Sequence, residues 1–290
     1  MYKGDDGSCY LLLYVNYIFI GCTNAVLLER VKAYIKCHFP GIVWKDGHRR
    51  GYVGVETDQS ELSMIGYIKD LLETTGTIGY ADCPAGSHLF EVYPDEEAEL
   101  LNKAVAKSFY TVVLKCHYLA KRMRFDILSA FAGLATRVQK PDLEDKLKLN
   151  RLLCYLNKTK EQVLKICIDP EMQITAYIDA SYAVPSNMQS HGGMCIIVGS
   201  SCILAKSYKI KLNTKSFTES ELVAASDHLG EALFIHEFLT LLGYKLPPVL
   251  FLEDNMSTIA LIKNGCPESD ASCRIKIRHF WVYHRAGTRR

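Results

Sequence analysis

Asp179, Glu221 and the run Glu253-Asp254-Asn255 are the residues of this chain whose types and spacing can do chemistry. Asp179 ends the strand-like run Ile174 to Ile178, Glu221 opens the helix-like run Leu222 to Ser226, and Glu253-Asp254-Asn255 follows the apolar Val249 to Leu252. Acids at two strand ends and one helix start can converge on a divalent cation. Mg2+ takes hard oxygen ligands and is held by few carboxylates together with substrate phosphates. That is the layout of a metal-dependent nuclease.

The same residues also have structural readings. Thr218-Glu219-Ser220-Glu221 fits a capping box, in which a glutamate folds back onto the N-cap amide, and Glu219 competes with Glu221 as the ligand. Asp254 or Asn255 suits the cap of a helix from Ser257 to Lys263, and Asp179 suits a turn before Ser181-Tyr182. The nine histidines form no triad, and His228 and His236 fit partly exposed positions on one helix. Ser220 and Ser226 have no neighbouring histidine base, and there is no glycine-rich phosphate loop.

The elements that must position these groups follow from periodicity. Tyr10 to Ile20 is dense in β-branched and aromatic residues and reads as two buried strands around a turn at Asn16-Tyr17. Ala25 to His38 has a helical period that Phe39-Pro40-Gly41 stops. Gly51 to Thr57 alternates as a strand, Ser60 to Glu73 reads as a helix, and Cys83 to Pro94 is turn-rich. Glu96 to Lys121, Leu128 to Val138 and Leu143 to Leu156 read as amphipathic helices. Beyond Lys158-Thr159-Lys160 the order becomes strand, strand, strand, helix, strand, helix, which places a boundary near Ile168-Asp169-Pro170.

With 290 residues, 49% of them hydrophobic, the chain can bury one large core or two ordinary ones. A net charge of +2 gives no global push toward nucleic acid, so basic surface must be local. One tract carries Lys206, Lys209, Lys211 and Lys215; a second carries Arg274, Lys276, Arg278, Arg285, Arg289 and Arg290. Solvated surface lysines and arginines are the plain alternative for both. Eleven scattered cysteines without zinc-type spacing imply reduced thiols in an intracellular protein, cytoplasmic or nuclear. The most apolar stretch, Tyr10 to Cys22, falls short of the roughly 20 residues of a membrane span and lacks the features of a secretory signal.

Taken together, the motifs resemble the polymerase and ribonuclease H part of copia-type long-terminal-repeat retrotransposon polyproteins. Tyr10 to Tyr17 looks like that family's Tyr-Val-Asp-Asp hairpin. Gly66 to Glu73, Tyr118 to Ile127 and Leu149 to Leu156 look like the segments that follow it. Ala176-Tyr177-Ile178-Asp179-Ala180, Leu212 to Leu222 and Glu253 to Ser257 look like its ribonuclease H signatures.

The resemblance implies an α/β chain. A reverse transcriptase palm remnant spans 1–57, a helical thumb or connection region 58–169, and a C-terminally truncated ribonuclease H-like domain with a mixed sheet 170–290. It implies that Asp179, Glu221 and Asp254 are catalytic and hold two Mg2+ (or Mn2+) ions. RNA/DNA hybrid is then the substrate, and Lys206, Lys209, Lys211 and Lys215 meet its backbone. Asn16 and Tyr17 replace the two polymerase aspartates, and an amide or a neutral phenol is a poor Mg2+ ligand, so polymerase activity is expected to be lost. Phe125 stands where the family has Pro. The alternative is a catalytically inactive nucleic-acid-binding or decayed remnant.

Overall fold

The computed structural model describes residues 2–4, 7–45, 47, 49–58, 60–92, 98–167, 172–182, 190–264 and 282. It divides into two units, Met1–Ser63 and Met64–Arg290. The boundary expected at Ile168-Asp169-Pro170 and the basic tract from Arg274 to Arg290 lie outside the described residues.

In the first unit, β1 (Tyr2–Gly4), β2 (Gly7–Tyr14) and β3 (Tyr17–Cys22) form an antiparallel sheet. Tyr14 pairs with Tyr17, so the hairpin turns on Val15-Asn16, one residue earlier than the sequence suggests. Val15 takes a φ of 52°, an uncommon conformation for a β-branched residue. Helix α1 (Ala25–His38) matches the helical period, and Asn24 caps it by accepting from the Val26 N–H at 2.8 Å.

The expectation of buried strands is corrected. Cys9 and Leu27 are buried where α1 covers the sheet, but Leu13 and Val15 are 68% and 94% exposed toward the hairpin tip. An apolar run reports β-propensity, whereas burial needs a covering layer, and α1 covers one end only. Gly51 to Thr57 is also corrected, from one strand to a hairpin of β4 (Arg49–Tyr52) and β5 (Val55–Asp58). Val53 and Gly54 both have positive φ, the requirement of a tight hairpin turn matched to strand twist. Strand β6 (Glu61–Ser63) pairs with β5 and takes up residues read as the start of a helix.

In the second unit, α2 (Ile65–Thr75) ends on Gly76, whose φ of 64° closes the helix in the left-handed conformation. Helix α3 (Lys103–Arg122) starts at the Asn102 cap, later than the predicted Glu96, which lies outside the described residues. A 3-10 turn (Phe125–Ile127), α4 (Leu128–Ala135), α5 (Leu143–Lys158) and the short β7 (Leu164–Lys165) follow. Asp142 and Asp145 make a reciprocal capping box on α5, and Arg137 bonds both carboxylates.

The elements that follow keep the predicted order: β8 (Ile174–Ser181), β9 (His191–Val198), β10 (Ser201–Lys209), α6 (Phe217–Leu241), β11 (Leu250–Leu252) and α7 (Met256–Asn264). The sheet order is β10-β9-β8-β11, with β11 parallel to β8 and the other pairs antiparallel. This is the mixed sheet of the predicted α/β class. Alternation along β8 buries Ile174, Ala176, Ile178 and Ala180 and exposes Tyr177, Asp179 and Ser181. The buried row meets Ile196 and Val198 of β9 and Val223, Ala224 and Ala232 of α6. Alanines on α6 let the helix approach closely, and each fully buried isoleucine contributes about 1.5–3 kcal/mol. No described helix is long and apolar enough to cross a membrane.

Candidate metal centre

Two parallel strands and one helix bring the acids together. Asp179 lies near the carboxyl end of β8 on the face away from α6. The pairing of Leu252 with Tyr177 brings the next residues, Glu253 and Asp254, alongside that end. Glu221 sits in the second turn of α6, which starts earlier than the sequence suggests. Carboxylate oxygens of Asp179, Glu221 and Asp254 all lie within 4.8 Å of one another.

The two capping alternatives resolve at other residues. Ser216 caps α6 by accepting from the Glu219 N–H, and the Glu219 carboxylate accepts from the Lys215 N–H at 2.6 Å. Glu219 is therefore occupied at the cap, which leaves Glu221 to the cluster. Asn255 caps α7 by accepting from the Thr258 N–H at 3.0 Å, which leaves Asp254 uncommitted to that cap.

Glu221 is 4% exposed, and its Oε2 is buried without a hydrogen-bond partner among the described residues. Burial, reinforced by the negative charge of Glu253, pushes its carboxyl up to about 8; Asp179 and Asp254 add to the effect, and the Ala180 amide partly offsets it. Glu253 accepts from the Asn255 N–H at 3.1 Å through one oxygen, while its Oε2 is buried and without a partner among the described residues. Burial, with the charges of Asp254 and Asp179, raises it to about 7. A buried carboxylate oxygen without a donor is costly, and a cation facing it removes that cost. The donor set is all oxygen, as a hard divalent ion requires. The residues fit such an ion.

Glu253, named in the sequence with Asp254 but given no role there, brings a second carboxylate with a buried oxygen to the edge of the cluster. Its signal was its place beside Asp254 at the end of a strand directed at Asp179. His228 is a correction, because it is 6% exposed and buried under Tyr208, with the ring centroids 4.5 Å apart. Its Nδ1 lies 3.5 Å from Glu231, and neither ring nitrogen has a hydrogen-bond partner among the described residues.

Strand alternation divides the lysine tract. Lys206 pairs in register with Met194, on the α6 side, and forms an ion pair with Glu231. Lys209 pairs with His191 and so lies on the Asp179 side; Lys211 and Lys215 are exposed beyond the strand. Asp179 and Asp254 line a cleft of about 800 Å³ that also takes in Tyr177 and Gly193, with Phe90 and Phe125 from the preceding helical region. His191 in this cleft bonds Ser207 at 2.7 Å and packs on Phe90, and burial holds its imidazole below the usual range.

No family model and no curated protein matches the sequence. The solved structures do provide a match. The fold superposes on a foamy viral protease-reverse transcriptase, solved in complex with RNA/DNA hybrid, with a TM-score of 0.56 and 12% identity, covering 96% of this chain and 34% of that one. The fold is therefore similar to that of a viral protease-reverse transcriptase. At this identity the likeness concerns architecture alone, and the chain spans about a third of the length of that relative.

Proposed function

We propose that this chain is part of a copia-type retrotransposon Pol and that its 170–290 region is a ribonuclease H-type hydrolase acting on the RNA strand of an RNA/DNA hybrid. The observation that carries this reading is the convergence of Asp179, Glu221 and Asp254 within 4.8 Å around a buried, unpartnered Glu221 oxygen. The foamy viral neighbour's hybrid complex agrees with it. On this reading 1–57 is a palm remnant and 58–169 a thumb or connection region.

Asp179, Glu221 and Asp254 would hold Mg2+ or Mn2+, which supplies an activated water and offsets charge on the leaving 3′ oxygen. The protein's own groups do the rest. Glu221 is fixed by the α6 backbone and presents its unpartnered oxygen from a desolvated position. Lys209, Lys211 and Lys215 would meet phosphates, which gives affinity without sequence choice. Lys206 is engaged by Glu231 and adds nothing to that patch unless the ion pair opens. At the hairpin tip, Asn16 and Tyr17 offer no carboxylate for polymerase chemistry.

The test is cleavage of a labelled RNA/DNA hybrid by the purified chain in Mg2+ or Mn2+, with the Asp254→Asn and Glu221→Gln variants alongside. Cleavage that both substitutions abolish is the expected result. Cleavage that survives both substitutions overturns the assignment. Hybrid binding without cleavage in either ion favours the inactive remnant, a reading that the loss of both polymerase aspartates already supports. Nucleotide incorporation on a primed template would contradict the reading of Asn16 and Tyr17.

A further inference from the structure

The carboxylate cleft also holds a pair of thiols. The Sγ atoms of Cys195 and Cys202 lie 3.3 Å apart, and both residues are half-buried and line the same cleft as Asp179. They come together because β9 and β10 form a hairpin whose register shifts between Cys202 and Leu204, where Ile203 is the extra residue. A bulge of this kind re-aims a side chain. We propose that Cys195 and Cys202 are a reversible dithiol–disulfide couple that takes a hydroperoxide as oxidant.

The chemistry balances with that oxidant alone. The Cys195 thiolate attacks the terminal oxygen of the hydroperoxide; the O–O bond breaks, and the leaving oxygen takes a proton to depart as water or alcohol. Cys195 is then a sulfenic acid. The Cys202 sulfur attacks it, the S–S bond forms, and the hydroxyl leaves as water with the Cys202 proton. Two thiols lose two electrons, and the hydroperoxide gains them.

Cys195 is suited to the first step. A shared S–H proton favours negative charge on one sulfur, and the bond from Cys202 draws Cys195 down to about 7, where an attacking thiol works well near neutral pH. The second close pair, Cys9 and Cys22 at 2.8 Å, provides a contrast. Cys9 is fully buried, and burial pushes Cys22 up to about 11, so that pair reacts more slowly.

The couple sits where it can be felt. Cys195 pairs with Tyr177 across the β8–β9 ladder, and Gly193, two positions away on the same face, pairs with Asp179. A bond between the sulfurs therefore constrains β9, the strand that pairs with the Asp179-bearing β8. Any effect on cleavage rests on the hydrolase reading, whereas bond formation does not.

The experiment maps disulfides in the folded chain. The protein is treated with a few equivalents of hydrogen peroxide, capped with N-ethylmaleimide, digested without reduction and read by mass spectrometry. The expected result is a Cys195–Cys202 linked peptide, the loss of two alkylatable thiols and full reversal by dithiothreitol, all unchanged in Asp179→Asn. In Cys202→Ser, dimedone should trap Cys195 as its sulfenic acid adduct. Linkage of Cys9 to Cys22 ahead of Cys195 to Cys202, links from either cleft cysteine to other cysteines, or persistence of both free thiols would overturn the proposal. Because the mapping needs no cleavage, an inactive chain that still forms the link separates this inference from the hydrolase reading.

Discussion

Asp179 and Gly193 face each other across the β8–β9 ladder, and a Cβ placed on Gly193 would come no nearer than 3.9 Å to the Asp179 carbonyl oxygen. The neighbouring Gly192 points the other way, where a Cβ would meet the Tyr208 ring at 2.6 Å. The two glycines thus serve opposite faces. Gly192→Ala is expected to cost about 1–3 kcal/mol through overpacking, while Gly193→Ala stays within about 0.5 kcal/mol of the parent. Gly193→Leu should fold yet lose hybrid cleavage, because its side chain fills the cleft beside Asp179. Thermal melts and cleavage assays check both statements, and a Gly192→Ala chain as stable as the parent would refute the first.

Stability should fall with rising pH through a window set by Glu221 and Glu253. Their folded-state values of about 8 and about 7 lie above the ordinary 4.5, so the folded chain holds protons that the unfolded chain has released. The stabilisation is complete below about pH 4.5 and is lost as pH climbs toward 8. Without divalent ions, the melting temperature should drop across this range, and Glu221→Gln should flatten the drop and be more stable than the parent at pH 8. A parent profile that rises over the same range would contradict the electrostatic account.

Divalent ions should reverse that loss. An ion bound only by the folded state stabilises it by about 2.7 kcal/mol at a hundred times its Kd. Differential scanning fluorimetry at pH 8 with Mg2+ or Mn2+ should show the rise, and Asp179→Asn should remove most of it. An equal rise in both proteins would place the ion elsewhere.

Arg124 tests the helical region independently of the site. It is 2% exposed, its guanidinium bonds both Asp126 oxygens at 2.9 and 2.7 Å, and it also reaches the Thr159 carbonyl and hydroxyl. The Tyr155 hydroxyl donates to the same Asp126 carboxylate at 2.8 Å. Arg124→Met should cost about 3 kcal/mol by chemical denaturation, because it leaves a partly buried carboxylate without its cation. A cost under about 1 kcal/mol would mean the carboxylate resolvates freely.

Patterns confined to neighbouring residues were legible in the sequence. The helical period from Ala25 to His38, stopped by Phe39-Pro40-Gly41, located α1, and the strand-like run Ile174 to Ile178 located β8. Features that depend on a third party were not. The exposure of Leu13 depends on where α1 ends, and the turn at Val53-Gly54 divides a stretch whose alternation looked continuous. The opposite facing of Lys206 and Lys209 follows from β10 being a strand, so reading the lysines as one tract merged two faces. The acids at Asp179, Glu221 and Asp254 were visible because they mark element ends, while Glu253 acquires its environment only once β11 docks beside β8.

Ser190, Thr214 and Ser220 close a triangle of hydroxyls, with sides of 2.7, 3.0 and 2.8 Å, next to Glu221 in sequence. Each hydroxyl has one proton and can accept from a neighbour, and Ser220 can also donate to the Ser216 carbonyl at 3.2 Å, so more than one arrangement of donors satisfies the cluster. The start of β9 meets there the loop after β10 and the first turn of α6. The triangle works as a latch whose strength is collective, since deleting one hydroxyl removes two of its three sides at once. Where Glu221 stands therefore depends on small polar side chains that no inspection of acidic residues would select.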